Sequence, residues 1–298
     1  MRTVAALIKR NVKLFFKDKG MFFTALVTPG ILLVLYSTFL GNVYKDTYMA
    51  ALPQGFVLSE KIIDGLVGGQ LVSSILAVSC VTVAFCSNFL MVQDKVSGVI
   101  KDLTMSPVKP YQLSLAYYVA NIVSTLIICL GALCLGLGYL AIVGWYLSVA
   151  DVFLLLIDVI VLVLFGTALS SLVNFFLNTQ GQLSAVGTVI SAGYGFICGA
   201  YMPISTFSEG LQKALSFLPG TYGTSLVRSH CVRGALEELV ENGVHTEIVE
   251  AIKASLDLSV DFFGQTVEIP VMYIILLVSI FLFLGGFVLA NVAKYKKR

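Results

Sequence analysis

Asp158 is the only ionisable residue in the apolar run VFLLLIDVIVLVLF. An acidic group inside a membrane span is by default a functional candidate. It would exchange an ion or a proton, or else act as a protonated or hydrogen-bonded packing group meeting Asn121 or Ser124 of another span. The other chemistry-bearing residues form no recognised set. His230 and His245 have Glu241 and Glu247 nearby, but their spacing matches neither HExxH nor another zinc pattern, so no metal site is expected. Five cysteines (Cys80, Cys86, Cys129, Cys134 and Cys198) fall in apolar stretches, where thiols behave as small hydrophobes. Cys231 lies in a polar segment without a partner there, and no CxxC occurs. No Gly-Lys pair exists in the chain, which excludes the loop that cradles nucleotide phosphates. No catalytic group and no cofactor is therefore expected on this chain.

The elements around these residues are read from composition. Of 298 residues, 58% are hydrophobic and 12% charged, with a mean hydropathy of +0.93. A soluble domain carries roughly 25% charged residues, so most of this surface faces something other than water. The net charge of +2 does not favour nucleic acid. A bilayer core about 30 Å thick needs about 20 apolar residues in a helix. Six stretches qualify, at approximately 21–40, 70–92, 113–143, 150–173, 183–201 and 270–292. With the N-terminus inside, thirteen Lys and Arg lie on the inner side and six on the outer. The positive-inside rule then makes both termini cytoplasmic. A signal peptide cleaved near Met49-Ala50-Ala51 is disfavoured, because the first apolar run is too long and a polar stretch separates it from that site.

The connecting pieces carry their own patterns. Residues 1–19 read as an amphipathic helix, with Val4, Leu7, Ile8, Val12, Leu14 and Phe15 on one arc. Arg2, Lys9, Arg10, Lys13 and Lys17 lie on the other, which suits the interface with anionic lipid, although a simple topology anchor would need the charges alone. In the inner loop 93–106, Val96, Val99, Ile100 and Leu103 share one arc of a helix over Asp94–Thr104. Pro107 and Pro110 end that helix. Its apolar stripe needs something to bury it, either the bilayer surface or, on the functional reading, a cytoplasmic partner that docks there. The outer segment 202–269 predicts short re-entrant or interfacial helices. One is capped by Thr206 and Glu209, another begins near Thr221, and Glu237–Asp261 reads as a solvated acidic cap. In the fifth stretch Gly187, Ser191, Gly195 and Gly199 recur every four residues. Such a small-residue face lets helices approach closely, within one subunit, at a dimer interface or along a transport path. Phe85, Phe89 and Tyr194 are aromatic candidates for that path.

Three motifs resemble the ABC-2-type permease family, also called type V exporters, and together they extend over nearly the whole chain. They are the basic entry RNVKLFFKDKG into a first span with Pro29, the loop DKVSGVIKDLTMSPV, and GAYMPISTFSEGLQKALSFLPGTYGTSLVR. The third holds Gly199, Pro203, Pro219, Tyr222 and Arg228 in the family's order. The resemblance implies a single all-α transmembrane domain over 1–298, with six spans, an interfacial N-terminal helix, a coupling helix and re-entrant outer helices. It also implies a homo- or heterodimer of permease chains bound to cytoplasmic ATPase subunits, which would hold ATP and magnesium. Leu66-Val67-Gly68-Gly69-Gln70 is close to an ATPase signature, but it falls on the outer side, away from ATP. The expected function is ATP-driven export of an amphipathic, lipid-linked or drug-like substrate across a bacterial plasma membrane. The alternative is an ion-coupled secondary transporter that uses Asp158.

Overall fold

The computed structural model describes residues 2–51, 59–105 and 108–296. Pro107, Lys297 and Arg298 lie outside the described residues. Among the described residues the chain is all-α apart from one two-stranded hairpin. Helix α1 is Arg2–Lys17. α2 (Lys19–Leu35) continues through a π-helical turn, Tyr36–Leu40, into α3 (Gly41–Ala51). α4 is Glu60–Val96, α5 is Val99–Met105, α6 is Pro110–Val143 and α7 is Val149–Phe176. α8 (Gln180–Ile197), α9 (Glu209–Leu215), α10 (Pro219–Glu241) and α11 (Thr246–Ser255) follow. The hairpin of β1 (Val260–Phe262) and β2 (Gln265–Val267) leads into α12 (Ile269–Lys296).

Among the described residues five helices are long and apolar enough to cross a membrane: Lys19–Met49, Glu60–Val96, Pro110–Val143, Val149–Phe176 and Ile269–Ala293. The remaining expected span is α8. It has 18 residues, opens on Gln-Gly-Gln, and reaches only about 27 Å. The expected stretch 183–201 is thus too long at its far end, because the chain turns at Gly199 with φ +74°.

α4 is the central post. Of its most apolar window 94% is buried, against 17% for α6, so the other helices, not lipid, surround it. Close approach is built on small residues. A Cβ at Gly166 of α7 would meet the Cys80 carbonyl of α4 at 2.6 Å, and one at Gly69 would meet the Cys231 carbonyl of α10 at 2.9 Å. The signature-like run Leu66–Gln70 therefore serves helix packing. Its Gln70 accepts a 2.5 Å hydrogen bond from the Tyr48 hydroxyl. α4 begins ten residues earlier than expected, because its polar and small first turns lie against Tyr146 and α10 and need no lipid.

The end of the molecule that carries α1 is its base, and the end near Gly144 is its crown. At the base α1 buries Leu7, Asn11 and Phe15, and its Val4, Ile8 and Leu14 pack on the same core. Much of its apolar arc thus covers protein. Arg10 forms an ion pair with Asp94 at 2.8 Å, and Asp94 also accepts from the Tyr117 hydroxyl at 2.5 Å. The next residue, Lys95, donates to the carbonyls of Asn174, Phe175 and Leu177 at 2.9, 2.7 and 3.1 Å. Those carbonyls end α7, where the helix dipole favours a cation.

At the crown, three expectations change. Thr206 caps nothing: its hydroxyl donates to the Pro203 carbonyl, and α9 starts after Ser208. The second helix starts at Pro219 rather than Thr221, and is a buried 23-residue helix packed on α4, α7 and α12. The acidic stretch is only partly solvated, since Val244, Val249, Ile252, Leu256 and Val260 are buried beneath its exposed glutamates. Alternation of apolar and acidic residues, which hides in a bulk charge count, produces that split.

Candidate functional site

A cleft runs between α2–α3 and α8. Its basal part, ≈ 640 Å³, is lined by Asp18, Gln93, Gln180, Phe89, Gly187 and Ser191. Its crown part, ≈ 750 Å³, is lined by Phe39, Tyr44, Tyr48, Phe196 and Tyr201. Both parts share Ile31, Ser191 and Ala192, so they meet at mid-height. There the Thr28 hydroxyl donates to the Ser191 carbonyl at 3.2 Å, bridging the two walls. The π-helical turn lies on the crown wall, a distortion common at functional sites. Tyr36, the turn's first residue, stacks on Tyr44, and Tyr44 on Tyr48, with ring centroids 5.7 and 6.2 Å apart.

The four small residues of the expected face separate. Gly187 and Ser191 line the cleft, and Gly187 lies against the Phe89 ring, where a Cβ would sit at 3.3 Å. Gly195 is covered by the Tyr201 ring of the same chain, which a Cβ would meet at 2.5 Å. Gly199 lies past the helix, and its carbonyl accepts from Arg228 at 2.8 Å. Of the aromatic candidates, Phe89 reaches the cleft. Phe85 and Tyr194 are buried in the core.

The motif residues after α8 act as a clamp. Pro203 precedes a single 3₁₀ turn, Ile204–Thr206, whose first two amides point at the Asp257 carboxylate. Burial pushes the Asp257 carboxyl above its ordinary range, against the pull of Arg228. Pro219 opens α10 at a position that needs no amide donor. The Tyr222 hydroxyl donates to the Ser216 carbonyl at 2.6 Å. Arg228 is 1% exposed and donates to the carbonyls of Leu256 and Gly199, both at 2.8 Å.

Asp158 meets neither Asn121 nor Ser124. Asn121 donates to Ser170, while the Asp158 carboxylate receives His230 Nδ1 at 2.6 Å and the Tyr273 hydroxyl. The cluster joins α7, α10 and α12, and His230 also lines a ≈ 570 Å³ cavity with Arg233, Glu237, Glu250 and Lys253. Sequence spacing carries no sign of Tyr273. His230 had one signal: Gly223, Val227, His230 and Gly234 follow each other at 4, 3 and 4, the pattern of an interior helix face.

The expected coupling helix is divided. α4 continues to Val96, the chain breaks at Gly98 with φ +85°, and α5 carries Val99, Ile100 and Leu103. Val96 is therefore exposed on α4 and off the stripe, whereas Ile100 and Leu103 rest partly on the core. A left-handed backbone at Gly98 is open to glycine at little cost, and it sets α5 at an angle to the post. Pro110 opens α6.

A family model described as ABC-2 type transporter matches residues 2–231. Among curated proteins none matches the chain.

Proposed function

The chain belongs to the ABC-2 type transporter family, and from that premise we propose that it is the permease of an ATP-driven exporter whose substrate passes along the α2–α8 cleft. The observation that carries this reading is the continuity of that cleft from base to crown. Its basal part is mostly apolar but carries Asp18, Gln93 and Gln180, and its crown half is aromatic, which suits an amphipathic, lipid-linked or drug-like molecule moving outward. The exposed flank of α8 presents Ser184, Ala185, Thr188 and Ala192, beside the larger Val189 and Phe196. Hydroxyls and small side chains of that kind suit another helix more than acyl chains. A second permease chain, identical or homologous, would close the cleft there.

Energy would come from a cytoplasmic ATPase subunit, with its ATP and magnesium, docked on α5. Closure of two such subunits pushes α5, and a partner shifts the equilibrium only by its different affinity for the two states. Asp94 and Lys95, just before the Gly98 break, pass that displacement to α1, α6 and α7. Replacing Val99 and Leu103 together by Asp is expected to leave membrane insertion intact and to remove the co-purifying ATPase. Retained association with unchanged transport would refute the docking role.

One observation favours a second reading, the ion-coupled transporter: the buried Asp158–His230 pair borders a cavity. Transport by Asp158→Asn in vesicles separates the two. Export that persists with ATP and without an ion gradient leaves Asp158 a packing role.

A further inference from the structure

Phe217, Phe262 and Phe263 form a mutual edge-to-face cluster, with ring centroids 5.3, 5.7 and 5.0 Å apart. Their rings are not core: the three residues are 62, 37 and 60% exposed. Phe217 precedes the foot of α10, and the other two stand at the tip of the β1–β2 hairpin. Phe263 and Gly264 are the two central residues of that hairpin's turn, with φ of +51° and +85°. Such a turn favours Asn, Asp or Gly at its first central position. A bulky residue there is a backbone outlier. Among the described aromatic contacts its ring touches only the two exposed phenylalanines.

The height of the cluster identifies what meets it. Lys95 fixes Leu177 at the base, and α8 starts three residues later at Gln180. Tyr194 lies about 21 Å up α8 from that point. A Cβ built on Gly220, in the first turn of α10, would lie 2.6 Å from the Tyr194 hydroxyl. The foot of α10, and Phe217 beside it, are therefore less than the roughly 30 Å of a hydrocarbon core above the base. The hairpin also runs within two residues into α12, whose Ile269, Val271 and Ile274 are exposed on a helix apolar enough to span. Around the rings, Asp261, Gln265 and Glu268 are exposed and Asp261 holds Thr266 at 3.0 Å, a polar rim above an apolar tip.

We propose that Phe217, Phe262 and Phe263 form a wedge inserted at the headgroup–acyl boundary of the leaflet opposite α1, so that the segment between α8 and α12 is anchored in lipid. The partner is the phospholipid bilayer itself, held by an apolar tip of the kind that interfacial segments bury about 5–10 Å deep. Anchoring there fixes the foot of α10 and with it the crown half of the cleft.

The test uses the full chain reconstituted in phosphatidylcholine vesicles. Trp145 is the single tryptophan, so Trp145→Phe gives a silent background. Phe263→Trp and, separately, Phe217→Trp are then read with lipids brominated on the acyl chain near the headgroup and with aqueous iodide. The wedge predicts that brominated lipid quenches both reporters by more than half, with iodide nearly without effect. Quenching by iodide and not by lipid would put the tip in water and overturn the proposal. Quenching by neither would place the tip against protein, such as a second copy of the chain, and would overturn it equally. Phe217 lies outside the hairpin, so its reporter remains informative if the turn does not tolerate Phe263→Trp.

Discussion

Replacing Arg228 by Met should release the turn after α8 while leaving the spans in place. The guanidinium donates to the Gly199 and Leu256 carbonyls at 2.8 Å each and lies 3.4 Å from the Ser74 hydroxyl. Hydrogen bonds to a charged donor contribute about 1.5–3 kcal/mol each, and a buried carbonyl left unpaired costs about 1–3 kcal/mol. Met removes a costly buried cation at the same time, which offsets part of the loss. A net local loss of about 2–4 kcal/mol follows, or roughly a 30- to 1,000-fold increase in opening of the turn at about 1.4 kcal/mol per tenfold. Amide hydrogen exchange reads this directly. The amides of Ala200 and Tyr201 both bond to the Gly195 carbonyl, at 2.9 and 3.0 Å, and exchange only when the turn opens. Arg228→Lys should fall between the two, because an ammonium reaches one of the two carbonyls but lacks the fork to reach both. Exchange at Ala200 and Tyr201 within about threefold of wild type in Arg228→Met, well short of the worked range, would refute the clamp.

Two further outcomes follow from the same geometry. Lys95→Met removes the cation from three carbonyls at the end of α7 and should cost about 1–2 kcal/mol, measured by denaturant unfolding in detergent; an unchanged midpoint would mean that solvent satisfies those carbonyls equally well. Asp257, whose carboxyl burial raises above the ordinary 3.8, binds its proton more tightly folded than unfolded. Its contribution is fully present below the unfolded value and is lost as pH rises through the folded one. Proteolytic resistance of residues 200–208 should therefore fall as pH rises through that window in wild type and stay flat in Asp257→Asn.

Much of the fold was legible because lipid imposes a simple rule. α6, α7 and α12 begin and end within a few residues of their apolar runs, since those runs meet lipid along at least one side. α4 overran its expected start because protein surrounds it, and hydropathy does not report what protein can cover. The long first helix overran for a related reason: Tyr44 and Tyr48 are buried, and Lys45 pairs with Asp64 at 3.1 Å. The lining of the candidate cleft was legible in parts. Gly187 and Ser191 came from a four-residue spacing that is local to one helix. The partners of Asp158 lie 72 and 115 residues away, on two other helices, so no local spacing encodes them. The single helix expected through the docking stripe breaks after Val96 for a conformational reason, because a helical wheel carries the phase through a glycine at which the chain turns.

The distribution of burial also says which parts of the permease can move. α4 spans about 55 Å from crown to base and is gripped along its length, by Gln70 and Ser74 at one end and by Asp94 and Lys95 at the other. A post held in that way deforms little. If a substrate passes along the cleft as proposed, the cleft would widen through its own walls. α8 touches the post and α2, and the described side-chain hydrogen bond across the cleft is that of Thr28 to Ser191. α2 contains Pro29, which removes a backbone donor from its interior, and the π-helical turn Tyr36–Leu40 follows it with a looser hydrogen-bond register. A helix with a missing bond in its middle and an irregular turn above it bends at low cost, whereas α4 has neither. Opening by flexure of α2 away from α8 would use those two backbone irregularities as its hinge.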